Sequence, residues 1–153
     1  MTATPKPPSP AQNLMFLALR IARNRLEYLT ENDWSLIADR SKQVTFAAGD
    51  TMIQEGKSVR TVFLVLSGKA KVETAAKAKV AAIGPGEIAG EMSFLERIPA
   101  SASVVAEEPV QAFAIDWKSL EDLFELFPHL ASRFYRSVAV NLSRRLRGQI
   151  SPK

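Results

Sequence analysis

Glycine and proline interrupt the middle of this chain so often that no helix of ordinary length fits there. Between Val44 and Ile115 the apolar segments run mostly four to six residues. They are separated by Gly49-Asp50, Gly56, Ser67-Gly68, Gly84-Pro85-Gly86 and Pro109. Gln43–Phe46, Thr51–Gln54, Val62–Leu66, Ala70–Glu73, Val80–Ile83, Ala102–Ala106 and Val110–Ile115 therefore read as strands. Parallel strands need crossovers of a dozen or more residues. Here only one short helix has room, near Gly90 to Glu96. Short strands at near-regular spacing predict an antiparallel barrel or jelly roll.

On either side of this region the apolar period changes to that of a helix. Residues 1–12 are Pro-rich at their start and are expected to form a disordered arm. Asn13 to Arg25 reads as a helix with Leu14, Leu17 and Ile21 on one side. Thr30 then starts a capping-type turn, with Asp33 three residues on, and a helix follows to about Arg40. Beyond Asp116, Leu120, Leu123, Phe124 and Phe127 recur at helical spacing until Pro128 interrupts. Leu130, Phe134, Val138, Leu142 and Leu146 then step by four to about Gly148. The expected fold is mainly β with flanking α. An antiparallel β-roll (a double-stranded jelly roll) over 43–115 is preceded by helices within 13–40 and followed by two helices within 117–148. All of 13–150 is one domain.

A chain of 153 residues can bury a core without staples. It has no cysteine, which excludes disulfides, thiolate metal sites and thiol nucleophiles. Its longest candidate for a membrane span, Leu14 to Leu19, is six residues, against the roughly 18 required. The N-terminus lacks the apolar run of a signal peptide. The expectation is a soluble, cytoplasmic protein. The net charge is +4, but His129 to Lys153 alone carries +6, leaving −2 for the rest. Such a tail suits either a solvated helix face or an acidic partner.

Enzyme constellations are missing. The single histidine, His129, reads as a helix-start residue beside Pro128, and no nucleophile elbow or metal-ligand spacing occurs. Gly56-Lys57-Ser58 resembles the end of a P-loop, but Thr51 stands where its first glycine belongs. Gly84-Pro85-Gly86-Glu87-Ile88-Ala89 satisfies a dinucleotide fingerprint only literally, without its strand–helix context. The stretch Gly90-Glu91-Met92-Ser93-Phe94-Leu95 is more informative. Its carboxylate lies at a short helical turn, where it can accept hydrogen bonds from hydroxyls. Ser101, at the head of the next strand, can donate to a phosphate. Together they suggest a cradle for a sugar phosphate, or else a helical connection over the mouth of the roll with Glu91 as a cap.

Ala48-Gly49-Asp50 with Gln54-Glu55-Gly56, then Phe63 to Lys69, Ile83 to Glu87 and Gly90 to Leu95 follow in an order and spacing similar to the cyclic nucleotide-binding domain family. This is the family of the catabolite activator protein and the protein kinase A regulatory subunit. The resemblance covers about residues 25–147. It implies a ligand such as cAMP or cGMP, with no other cofactor, no metal and no catalytic residue. It implies that Glu91 bonds the ribose 2′-hydroxyl and that Gly90, Met92 and Ser93 line ribose and phosphate through their backbone. Ala100-Ser101-Ala102 resembles the end of the same cassette, with one departure: the family has a phosphate-binding arginine where this chain has Ala100. Arg97, three residues upstream, is the candidate to compensate.

Two readings follow. In the first, the domain is a non-enzymatic regulatory module that binds cAMP or cGMP and relays ligand state through its C-terminal helices to a separate protein partner. In the second, it is a degenerate member that binds no cyclic nucleotide, or binds another ligand, and serves as a protein-interaction module. Ala100 and the short Glu73–Val80 hairpin favour the second. Residues 130–147 also offer a surface for a homodimer. Nucleic acid is disfavoured, because no reading motif accompanies the basic tail. Met1 and the arm lead to the expectation of a free-standing domain.

Overall fold

The computed structural model describes residues 6–150. Helix α1 (Pro10–Ile21) starts earlier than its apolar pattern suggests. Ser9 Oγ accepts from the Gln12 N–H at 3.1 Å, and Gln12 Oε1 accepts from the Ser9 N–H at 3.0 Å. Pro10 sits at the first helical position, where its missing N–H has no cost. Residues 10–12 are thus helical and not part of an arm; residues 1–5 lie outside the described residues. The helix also stops at Ile21, short of the expected Arg25. Helix α2 (Glu31–Asp39) begins with the expected reciprocal capping of Thr30 and Asp33.

The strands are β1 (Lys42–Phe46), β2 (Thr51–Ile53), β3 (Thr61–Ser67), β4 (Ala70–Thr74), β5 (Lys77–Ile83), β6 (Ile88–Ala89), β7 (Ser103–Ala106) and β8 (Val110–Asp116). They form two sheets with orders β1-β8-β3-β6 and β2-β7-β4-β5, and every pairing is antiparallel. Seven strands match the expected ones to within a few residues. The eighth, β6, has only two residues, too few to show a period.

Strand β3 explains how the roll meets the helices. Val62 to Leu66 are all buried, an unbroken apolar run that marks a strand covered on both faces. Phe63 and Val65 point into the roll, with Ile53, Ala89, Val104, Val110 and Ala112. Val62, Leu64 and Leu66 point the other way, into a second core with Met15, Trp34, Leu120, Leu123 and Phe134 from the helices. Gly86, at φ +82°, lies beneath α1, where a Cβ would come within 2.4 Å of the Ala18 carbonyl oxygen.

After the roll, Asp116 caps helix α4 (Trp117–Leu126) by accepting from the Ser119 N–H at 2.9 Å. Helix α5 (Pro128–Ile150) follows. It passes Gly148, which had marked its expected end. Leu130, Phe134 and Val138 are buried in the helical core, whereas Leu142 and Leu146 on the same stripe are exposed. The second half of α5 therefore runs off the core. What holds it is a row of polar contacts to the segment between α1 and α2. Ser137 Oγ accepts from the Tyr28 N–H at 3.0 Å, and Asn141 donates to the Asn24 carbonyl at 3.2 Å. Arg144 pairs with Glu27 at 2.9 Å, and Arg136 stacks over Tyr28 at 4.1 Å. Much of the tail's positive charge is spent inside the domain. Among the described residues no helix is long and apolar enough to cross a membrane.

Candidate functional site

The short helix α3 (Glu91–Glu96) follows β6 through Gly90. Gly90 has φ +91°, and a Cβ there would lie 2.6 Å from the Thr61 carbonyl oxygen. Both the left-handed backbone and the close approach to β3 demand glycine. The turn puts Glu91 in the lining of a cavity of about 690 Å³, within the roughly 300–1,000 Å³ typical of small-molecule sites. One wall is the sheet β2-β7-β4-β5, represented by Ile53, Val72, Ile83 and Val104. A second is the segment from Ile88 to Ser93 with the loop 100–102. The third is α5, through Leu142, Arg145 and Leu146.

All seven residues expected from the sequence, Gly90, Glu91, Met92, Ser93, Ala100, Ser101 and Ala102, line this cavity. Ala100 is held on both sides by backbone. Its carbonyl accepts from the Gly56 N–H at 2.8 Å, and its N–H donates to the Lys57 carbonyl at 3.1 Å. Its methyl is buried against the roll and offers no hydrogen-bond donor.

Arg97, the candidate for compensation, does not line the cavity. It closes α3 in the left-handed conformation, φ +60°, which turns its side chain toward α4. There it pairs with Glu121 and stacks over Phe94 and Trp117 at 5.1 and 5.0 Å from the ring centroids. In this geometry the candidate compensating guanidinium is engaged by α4 and does not border the cavity. Phe94 itself, fully buried, packs edge-on against Trp117 and Phe124 of α4 and Phe134 of α5. The cassette helix and the C-terminal helices thus share one aromatic cluster.

The sequence reading missed Asn24, Leu142, Arg145 and Leu146 as cavity residues. One signal was available: the i+4 stripe on α5 continues past the point where a core of this size has partners for it.

Glu91 keeps some contact with solvent, yet the surrounding protein strips most of its hydration. Burial pushes its carboxyl pKa above the ordinary value of 4.5, and its own and Met92's backbone N–H groups and Arg145 oppose that only in part. A raised carboxyl contributes stability that is present below the unfolded value and lost as pH rises through the folded one. Glu91→Gln, which cannot ionise, should therefore unfold at a higher temperature than the wild type at pH 7. The difference should vanish toward pH 4. Thermal melts across that range measure it, and an unchanged midpoint at pH 7 would remove the argument. Among the described residues no group of three or more His, Asp or Glu side chains is close enough to hold a metal ion.

A family model for the cyclic nucleotide-binding domain matches residues 43–126, more than half of the chain. Glutaminase 2 of Bradyrhizobium diazoefficiens is 32% identical over 121 residues, which are 79% of this chain and 19% of that protein. Cyclic GMP-binding protein C of Dictyostelium discoideum is 29% identical over 128 residues, 81% of this chain and 5% of that protein. The chain thus spans a fifth or less of these two relatives. The crystal structure of the N-terminal domain of a Streptomyces coelicolor transcriptional regulator superposes with a TM-score of 0.69 at 26% identity, covering 89% of this chain and 97% of that one. With the roll, the cassette and the C-terminal helices all in hand, the chain belongs to the cyclic nucleotide-binding domain family.

Proposed function

We propose that this domain is a regulatory module that senses a cyclic nucleotide and relays occupancy of its cavity through α5 to a partner protein. The observation that carries this reading is the shared lining. The Gly90–Ser93 cassette and the Leu142–Leu146 segment border the same 690 Å³ cavity, so one ligand touches both. In this reading Glu91 accepts from the ribose hydroxyls, Ser101 donates to the phosphate, and Leu142 and Leu146 cover the base. A ligand that gains those apolar contacts favours the arrangement with α5 closed, and a ligand shifts an equilibrium only by such differential contact. Exposed Leu142 and Leu146 are the residues that change environment, and a partner reads that change. Similarity to a cyclic GMP-binding protein of Dictyostelium adds support for the ligand class.

A second reading has its own observation. The buried methyl of Ala100 leaves the loop without a cation for a phosphate. In that reading the domain takes an uncharged ligand or none, and acts through its helices as an interaction module.

Calorimetric titration with cAMP and with cGMP, paired with amide hydrogen exchange, separates the two. The first reading expects saturable 1:1 binding and slower exchange at residues 140–147. An absence of heat with both nucleotides, and unchanged exchange, would leave the second.

A further inference from the structure

We infer that Arg145, on α5, is the anion partner of the bound nucleotide, taking the charge role that the Ala100 loop has lost. This rests on the cyclic nucleotide reading above. Arg97 is engaged by Glu121, Arg133 by Asp33, Arg136 by the face of Tyr28 and Arg144 by Glu27. Arg145 alone among the described arginines and lysines stands at the cavity wall. It lines the same cavity as Glu91, whose carboxyl feels its charge, though less than it feels burial. No hydrogen bond or ion pair holds its side chain, which is exposed to solvent in this structure.

The helix sets its direction. Leu142, Arg145 and Leu146 are three and four residues apart and so share one face, the one turned to the cavity. A guanidinium there can meet a phosphate in a two-pronged, charge-assisted pair. The consequence is mechanical. When the phosphate's cation sits on the loop, the anion binds whether or not α5 is closed. With the cation on α5, gripping the phosphate and closing the helix become one event. The ligand class that fits is a nucleotide with its ribose toward Glu91 and an anion reaching α5.

The test is a double-mutant cycle read by titration with cAMP, using wild type, Arg145→Gln, Ala100→Arg and the double variant. Charge-assisted hydrogen bonds are strong enough that Arg145→Gln should weaken cAMP by about 10- to 100-fold in the wild-type background. In the Ala100→Arg background the phosphate has another cation, so the same change should cost much less. An equal loss in both backgrounds would mean that Arg145 touches the base and not the phosphate, and would overturn the inference. So would undiminished binding by Arg145→Gln. A wild type that binds neither cAMP nor cGMP would instead sink the cyclic nucleotide reading itself, and the inference with it. Arg145 packs in no core, so Arg145→Gln should melt like the wild type. If Ala100→Arg does not fold, the phosphorus NMR shift of bound cAMP decides. It should differ between wild type and Arg145→Lys if the side chain meets the phosphate, and an identical shift would refute it.

Discussion

Ala100→Arg should raise the affinity for cAMP or cGMP by about two to three orders of magnitude in the Arg145→Gln background, and by less in the wild type, where Arg145 already meets the phosphate. The position is built to hold a side chain in place. Its N–H and carbonyl are both bonded to the Gly56–Lys57 turn, and the residue borders the cavity beside Ser101. A guanidinium added there meets the phosphate in a paired, charge-assisted contact. Each such hydrogen bond is worth about 1.5–3 kcal/mol, and every 1.4 kcal/mol is about a decade in affinity. The opposing effect is crowding, since the present methyl packs with Ile53, Phe63 and Val104. An arginine stem must leave that cluster for the cavity, and a thermal melt will show whether it does so without cost to the fold. Titration of the folded variant then decides. Binding by the Ala100→Arg, Arg145→Gln double variant no tighter than by Arg145→Gln would mean that the cassette is similar in architecture only, with its loop aimed away from the anion.

What was legible in the sequence, and what was not, divides along contact range. The roll was legible because its punctuation is local: Gly49, Gly56, Gly68 and Gly86 each have positive φ, and each ends a short apolar run. The seven cavity residues of the cassette were legible because they lie within thirteen positions of one another. Leu142 and Leu146 were half legible, as a stripe that outruns its core, but Arg145 was not, because nothing in its own neighbourhood says that α5 crosses a cavity formed more than forty residues earlier. Arg97 was legible in position but not in direction. Three residues of separation say how far a side chain can reach, but not in which direction. A left-handed residue at the end of α3 reverses the chain, and Glu121, Phe94 and Trp117 then capture the guanidinium. The start of α1 was hidden by composition: proline-rich text reads as an arm, while Ser9, Pro10 and Gln12 are a complete helix start.

The same contrast bears on Arg133, which the sequence presents as one more charge on a basic helix. Arg133→Met should lower the melting midpoint at pH 7 by several degrees and loosen α5. The reason lies in Asp33, 1% exposed, which both caps α2 and anchors the start of α5. Its Oδ2 accepts from the Thr30 N–H at 2.9 Å and from Arg133 Nε at 2.7 Å, and Oδ1 accepts from Arg133 Nη2 at 2.8 Å. Burial is the largest single influence on this carboxyl and works to raise its pKa. The bonds from Arg133 and Thr30 together outweigh it and hold the pKa below the ordinary 3.8. A depressed carboxyl contributes stability that is present above the unfolded value and lost as pH falls through the folded one. Remove the guanidinium and burial is opposed by Thr30 alone, so the charged form loses most of its support. Stranding a carboxylate in a fully enclosed site costs about 3–5 kcal/mol. Here the loss is smaller, since Arg133 is partly solvated and water will reach the vacated position. For a domain of this size each kcal/mol moves the midpoint by about 2–4 °C. The deficit should be largest at neutral pH and should shrink as pH falls below the ordinary 3.8, where the carboxyl takes up a proton and the ion pair is lost from the wild type as well. The double variant Asp33→Asn, Arg133→Met keeps a side-chain oxygen to cap α2 without a charge, and should recover much of the loss. Melts of the three proteins against pH test this directly, and a deficit that stays constant with pH would mean that Arg133 matters through its packed stem and not through its charge.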